Sequence, residues 1–466
     1  MADRSPPVVV IIAGPTAAGK SDVAAKLCAQ QKGMIVSADS VQAYRGVQIG
    51  ANKPSLEERK ETPHILIDVA DHLEQYNAAE WRDDAIYCIQ TLLQQTVDQE
   101  EDTSNRRTQI KDYIEQSRIE KGYNEPPNQR ILPVICGGTM MYLQWLVHGK
   151  PDAMRPTEKA IEASYEIIQK FQENNNDYNG AVQHVASFGK VFAERAQNVS
   201  PFDWYRLRRT LEIALTVEEK KEENADVEKL VEQLYSGERQ GSLESLGFDV
   251  RCFFLCPDDR MSHTKVIDKR CEQMLMRGLL KETTELGLSG CMPEMAERAI
   301  GYRQTLDYLK QDSPKDDEED ARVAEEKDFE FYLSEFTTAT RRYAVQQMKW
   351  FRKDKEFMFV PVSLKLDKSD RVAAAANVIN RFCELSREEY ETELYGDDHI
   401  SAQTKKANVE QGNKMKFYLP ERHILTQGSK EYEDIVTEAI GYRSKFRSIN
   451  DKKRAREDST TTASKK

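Results

Sequence analysis

The sequence predicts an α/β protein: a parallel sheet flanked by helices, with a helical domain inserted into it. Three observations carry this. Apolar runs of strand length (Val8–Ala13, Met34–Ala38, Ile131–Cys136, Val250–Cys256) are separated by helix-patterned segments. Between residues 150 and 247 the strand patterning stops and polar helical stretches take over. A glycine-rich loop joins the first strand to the first helix.

That loop is Gly14-Pro15-Thr16-Ala17-Ala18-Gly19-Lys20-Ser21. It leads into Asp22–Gln31, whose Val23, Ala24 and Leu27 suit one face of a helix. Strand, glycine loop and helix form the context in which G-x-x-x-x-G-K-S binds phosphate. Backbone N–H groups cradle the oxygens, Lys20 reaches an outer one, and the Ser21 hydroxyl can ligate Mg²⁺. The helix N-terminus adds partial positive charge. A P-loop NTPase-like sheet is therefore expected. The loop alone does not choose among ATP, GTP and a prenyl pyrophosphate.

At 466 residues the chain is expected to form two or three domains. With 31% charged residues, a mean hydropathy of -0.70 and no apolar run near the roughly 20 residues that cross a bilayer, it reads as soluble. Only twelve residues precede Ala13, so no cleaved leader is expected and the cytoplasm is the expected location, with nuclear entry left open. The eight cysteines lack a C-x-x-C pair and read as reduced structural thiols. Cys252 and Cys256 share a strand face but stand too far apart for a bridge. The net charge of -12 argues mildly against a nucleic-acid partner. Its acidic surplus is concentrated in 98–102, 218–232 and 312–328, however, which leaves basic patches elsewhere.

The second strand ends in Asp39-Ser40-Val41-Gln42-Ala43-Tyr44. Carboxyl ends of parallel strands face the ligand crevice, so Asp39 is placed to meet whatever the phosphate loop holds, unless it only caps a turn. At this point the residues resemble a known family. The phosphate loop, Asp39–Gly46, Ile49-Gly50-Ala51-Asn52-Lys53-Pro54, Pro63–Asp68 and Tyr76–Trp81 follow the order of blocks in the tRNA dimethylallyltransferases, also called tRNA isopentenyltransferases.

Residues 98–129 interrupt the pattern and read as an inserted, partly disordered loop. Gly137-Gly138-Thr139 then resembles the family block whose threonine contacts tRNA. In the helical insertion, Asp203–Glu212 packs three arginines and two aromatics together, with Leu207, Leu211 and Leu215 marking a buried face and Trp204 or Tyr205 suited to stack on a base. This resembles the block of the family domain that holds the anticodon stem. Ala299–Gln304 matches a Gly-Tyr-Arg-Gln block, and 340–353 resembles the final core helix. The expected division is a catalytic core at 1–149, a tRNA-binding insertion at 150–247, a second part of the core at 248–365, and a partly disordered C-terminal extension at 366–466. Beyond about Leu366 the resemblance fades, and Cys383, His399 and His423 cannot supply a closed zinc site.

The resemblance implies transfer of a dimethylallyl group from dimethylallyl pyrophosphate to the N6 amine of the adenosine immediately 3′ of the anticodon in tRNA, releasing pyrophosphate. It makes Asp39 the general base and puts Thr16, Lys20 and Arg303 at the reacting groups. Residues 14–21 would bind the pyrophosphate, with Mg²⁺ on Ser21. The tRNA would meet Asp39, Ser40, Val41, Gln42 and Thr139 on the core, and Tyr205, Arg206, Leu207, Arg208 and Arg209 on the insertion. A monomer is expected. The alternatives are an adenylate isopentenyltransferase acting on free AMP, ADP or ATP, a small-molecule kinase, and a non-catalytic RNA module.

Overall fold

A computed structural model describes residues 5–94, 105–123, 130–151, 156–222, 239–311, 318–396, 399–415 and 418–463. The chain divides into two compact units, residues 1–147 with 243–466, and residues 148–242.

The larger unit is built on a six-stranded sheet: β1 (Val8–Ala13), β2 (Gly33–Ala38), β3 (His64–Ile65), β4 (Leu132–Gly137), β5 (Asp249–Pro257) and β6 (Phe357–Val362). Their order is β3-β2-β4-β1-β5-β6, and every pair is parallel. Parallel strands need crossover connections, so both faces are covered. Along β1 the side chains divide by period two. Val9, Ile11 and Ala13 join one apolar cluster, and Val10 and Ile12 join the other. Pro133 is tolerated inside the sheet because β1 takes up β4 only from Val134 onward, where the missing N–H is no longer needed.

Two expectations are revised. Within 98–129, the described part includes a helix, Asn105–Glu120, whose Ile110 and Ile114 are buried in the main core. It lies along the short edge strand β3, and the Tyr113 hydroxyl takes the His64 N–H at 3.2 Å, so the insertion caps an edge that would otherwise be open to pairing. Residues 98–104 and 124–129 lie outside the described set. Beyond residue 366, expected as a partly disordered extension, the described residues fold onto this unit. The Lys368–Glu384 helix packs on β6 and on the Lys20–Gln31 helix through Ala375, Ala376, Ile379 and Phe382. Farther on, the Tyr390 hydroxyl bonds both the N–H and the carbonyl of Cys252 in β5. The last helix, Lys430–Ala463, packs on helices Leu279–Ser289 and Tyr302–Lys310 through residues such as Val436, Ala439 and Phe446.

The smaller unit is helical: Glu158–Glu173, Tyr178–Ala186, Lys190–Asn198 and Trp204–Glu222, with a two-residue antiparallel pairing of Lys150–Pro151 and Arg239–Gln240. Its own core includes Ile168, Val185, Phe192, Leu207, Leu211 and Val217. Thr157 and Asp177 cap two of its helices by accepting N–H bonds from Ala160 and Gly180.

Candidate active site

The carboxyl ends of β1, β2 and β4 are adjacent, and each ends in one of the segments singled out in the sequence. After β1 the phosphate loop turns sharply, with Ala17 at φ 63° and Gly19 at φ 83°. Glycine at 19 costs little in this left-handed region and gives the Lys20–Gln31 helix an N-terminus without a side-chain cap, open to an anion. Lys20 Nζ donates to the carbonyls of Gly14 at 3.0 Å and Pro15 at 2.9 Å. Burial lowers its pKa to about 8, and the Arg270 guanidinium pushes in the same direction, against the pull of Asp39.

After β2, Asp39 Oδ1 accepts the N–H groups of Val41 at 2.9 Å and Gln42 at 3.2 Å. Among the described residues Oδ2 takes no hydrogen bond. After β4, Thr139 Oγ1 accepts the Ser40 N–H at 3.2 Å, which ties the two strand ends together. Val41 packs, half-buried, on the main core.

Three residues for which the sequence suggested no site role complete the crevice. Arg270 is half-buried in the helix Arg260–Met276, its pKa lowered by burial, and it interacts electrostatically with both Lys20 and Asp39. His263, about two turns earlier on that helix, brings Nε2 within 2.9 Å of the Thr16 carbonyl. Burial lowers its pKa to about 4, so near neutrality the ring is uncharged and donates Nε2–H to that carbonyl. Gln347, from the long helix Glu318–Lys353, accepts the Thr16 N–H at 2.9 Å and donates to the Gly138 carbonyl at 2.9 Å. Arg270 and His263 are lone residues inside a helix with no spacing signal, and Gln347 lies in the 340–353 block without any local feature that singles it out.

Several expected roles change. Arg303 is 65% exposed and pairs with Asp307 at 4.0 Å on its own helix, whereas Arg270 is the guanidinium beside Lys20 and Asp39. Gln42 is internally engaged: Nε2 donates to the carbonyls of Ala51 and Asn52, both at 3.2 Å, and Oε1 accepts the Ser37 hydroxyl at 3.0 Å. In the helical unit, Leu207 is fully buried. Arg208 is 6% exposed, pairs with the buried Glu212 at 2.6 Å and lies 3.7 Å over the Tyr165 ring. These two residues belong to the unit's interior because a helix that packs one face must spend whatever lies there. Trp204 likewise packs edge-on against Tyr178. Arg206, 70% exposed, and Tyr205 remain on the outer face, and Arg209 shares Glu212 from a half-exposed position.

Ser21 is exposed in the first helical turn, a position suited to Mg²⁺ held by one hydroxyl together with phosphate oxygens and water. Among the described residues no cluster of three His, Cys, Asp or Glu side chains could hold a metal ion. The eight cysteines are free; Cys252 and Cys256 lie on one face of β5, both in the main core.

The glycine-rich loop after β1, the Asp39 carboxylate after β2 and the half-buried Arg270 come together at one crevice, the candidate active site. The chain belongs to the IPP transferase family, whose model matches residues 42–97 and 104–354. It is similar to tRNA dimethylallyltransferase 9 of Arabidopsis thaliana, 32% identical over 378 residues, covering 77% of this chain and 72% of that one. It is also similar to the tRNA dimethylallyltransferase of Protochlamydia amoebophila, 29% identical over 76% of this chain and 84% of that one. The solved tRNA isopentenylpyrophosphate transferase of Bacillus halodurans is 23% identical, with a TM-score of 0.47 over 83% of this chain and 99% of that one.

Proposed function

We propose that this chain transfers a dimethylallyl group from dimethylallyl pyrophosphate to the N6 amine of an adenosine in tRNA, the one immediately 3′ of the anticodon. The observation that carries this reading is the arrangement of Asp39, a carboxylate, with Lys20 and Arg270 at one crevice, in a chain of the IPP transferase family. Displacement at the allylic carbon forms a C–N bond and breaks the C–O bond to pyrophosphate. Negative charge then grows on the leaving group, and Lys20, Arg270 and the uncapped helix N-terminus stabilise it. The exocyclic amine loses a proton as it attacks, and Asp39 accepts it, with Oδ1 steadied by two backbone N–H groups. Thr16, held at both its N–H and its carbonyl, positions the pyrophosphate. Mg²⁺ bound through Ser21 would neutralise further phosphate charge. A base stacked in a loop must be turned out to enter such a site, at a cost of a few kcal/mol.

Labelled dimethylallyl pyrophosphate with Mg²⁺, offered to unmodified tRNA beside AMP and ATP, tests the reading. Label is expected in tRNA and is expected to fall by at least about a hundredfold in Asp39→Ala. Label entering only the free nucleotide would overturn the substrate, and undiminished transfer by the variant would overturn the base.

A further inference from the structure

A carboxylate that takes no part in the transfer chemistry holds the segment 48–52. Glu282, in the helix Leu279–Ser289, accepts the N–H groups of Gln48 at 3.1 Å, Ile49 at 2.8 Å and Gly50 at 3.0 Å. The Tyr302 hydroxyl donates to the same carboxylate at 2.5 Å. Burial and the neighbouring Glu282 charge raise the phenol's pKa well above its ordinary value, so it stays a donor. Gly50 lies flush on the Tyr302 ring, where a Cβ would come within 2.3 Å of Cζ. No larger residue allows that approach.

The far side of the segment is held by Gln42, through the Ala51 and Asn52 carbonyls. The Gln42 N–H in turn donates to Asp39 Oδ1. A continuous path therefore runs from Tyr302 through Glu282 and the peptides of 48–52 to Gln42, and ends on the carboxylate that takes the proton. The phosphate loop is secured separately, by Gln347 and His263.

We propose that Glu282, oriented by Tyr302, is a positioning residue for the transfer step: it sets the segment 48–52, and through Gln42 it sets the approach of Asp39 to the adenine amine. This rests on the tRNA prenyl-transfer reading. Three converging N–H dipoles and a phenol demand an acceptor with several lone pairs, which a carboxylate supplies. A glutamine of the same shape turns an NH₂ group toward donors, so the segment must shift.

The test is steady-state transfer to unmodified tRNA by the wild type, Glu282→Gln, Tyr302→Phe and Gly50→Ala, with KM for dimethylallyl pyrophosphate measured at saturating tRNA. Glu282→Gln is expected to lower kcat by about tenfold or more, the effect of a lost charge-assisted hydrogen bond, while that KM stays within about twofold. Gly50→Ala, which keeps both partners but lifts the segment from the ring, should reproduce the defect, and Tyr302→Phe should share it at smaller size. Wild-type kcat in Glu282→Gln, or a KM that rises in step with the loss of kcat, would overturn the proposal. If Glu282→Gln does not fold, Tyr302→Phe decides by the same criteria. A wild type that leaves tRNA unlabelled overturns the underlying reading itself, a failure distinct from that of the variants.

Discussion

Gln347 takes the Thr16 N–H on its side-chain carbonyl at 2.9 Å, and its amide donates to the Gly138 carbonyl, so one side chain joins the phosphate loop to the glycine pair after β4. Each loop is short and gains its shape from this outside hold. Gln347→Ala removes two hydrogen bonds, each contributing about 1 kcal/mol. KM for dimethylallyl pyrophosphate is expected to rise by about tenfold with a smaller change in kcat, read from initial rates.

The lowered pKa of Lys20 makes pyrophosphate binding sensitive to alkali. Below about pH 8 the ammonium is charged in the free protein, and above it the charge is lost. The kcat/KM for dimethylallyl pyrophosphate should therefore hold steady up to that point and then fall by up to about tenfold per pH unit. A profile that stays level to pH 10 would contradict the assignment.

His263 carries a stability consequence of opposite range. Its pKa is depressed to about 4 in the fold, against 6.5 when free, because the buried ring resists charging. Between pH 6.5 and 4 the unfolded chain holds a proton that the folded chain does not, so stability falls as pH falls through that window. The full shift corresponds to about 3 kcal/mol, at 1.36 kcal/mol per unit. Denaturant titrations at pH 7 and pH 4.5 should show a larger loss in the wild type than in His263→Asn.

Arg206 and Arg208 should separate binding from folding. Arg208→Met breaks a buried pair with Glu212 and is expected to lower the melting temperature. Arg206→Ala, at an exposed position, should leave melting unchanged, raise KM for tRNA, and reduce the salt dependence of binding by about one phosphate contact.

Arg443 tests the C-terminal helix. Only 1% exposed, it pairs with Glu325 at 2.7 Å and with Asp328 at 2.9 Å. Arg443→Ala strands a buried carboxylate and is expected to destabilise the protein by about 3–5 kcal/mol, measured by denaturant unfolding. Activity below the melting transition should persist, because no catalytic group lies on that helix.

Local spacing made much of this protein legible in its sequence. The period-two clusters on β1, the strand-loop-helix setting of residues 14–21 and the placement of Asp39 at a strand end depend on neighbours in the chain, and each is found where the pattern puts it. The five residues Ala-Ile-Gly-Tyr-Arg occur twice, at 299–303 and at 439–443, and show where local pattern stops informing: Arg303 is exposed and Arg443 is buried in an ion pair.

The sequence by itself determined the sheet, the phosphate loop, the carboxylate opposite it and the family, because periodicity and short motifs are properties of adjacent residues. Only the tertiary structure decided that Arg270, His263 and Gln347 reach the crevice, that Glu282 holds residues 48–50, that Arg208 faces inward, and that the described residues beyond 366 join the core. Those outcomes depend on which faces meet across long stretches of chain, 209 to 331 positions for the hydrogen bonds of Gln347. No one-dimensional spacing encodes that choice; packing and the need to satisfy buried polar groups make it.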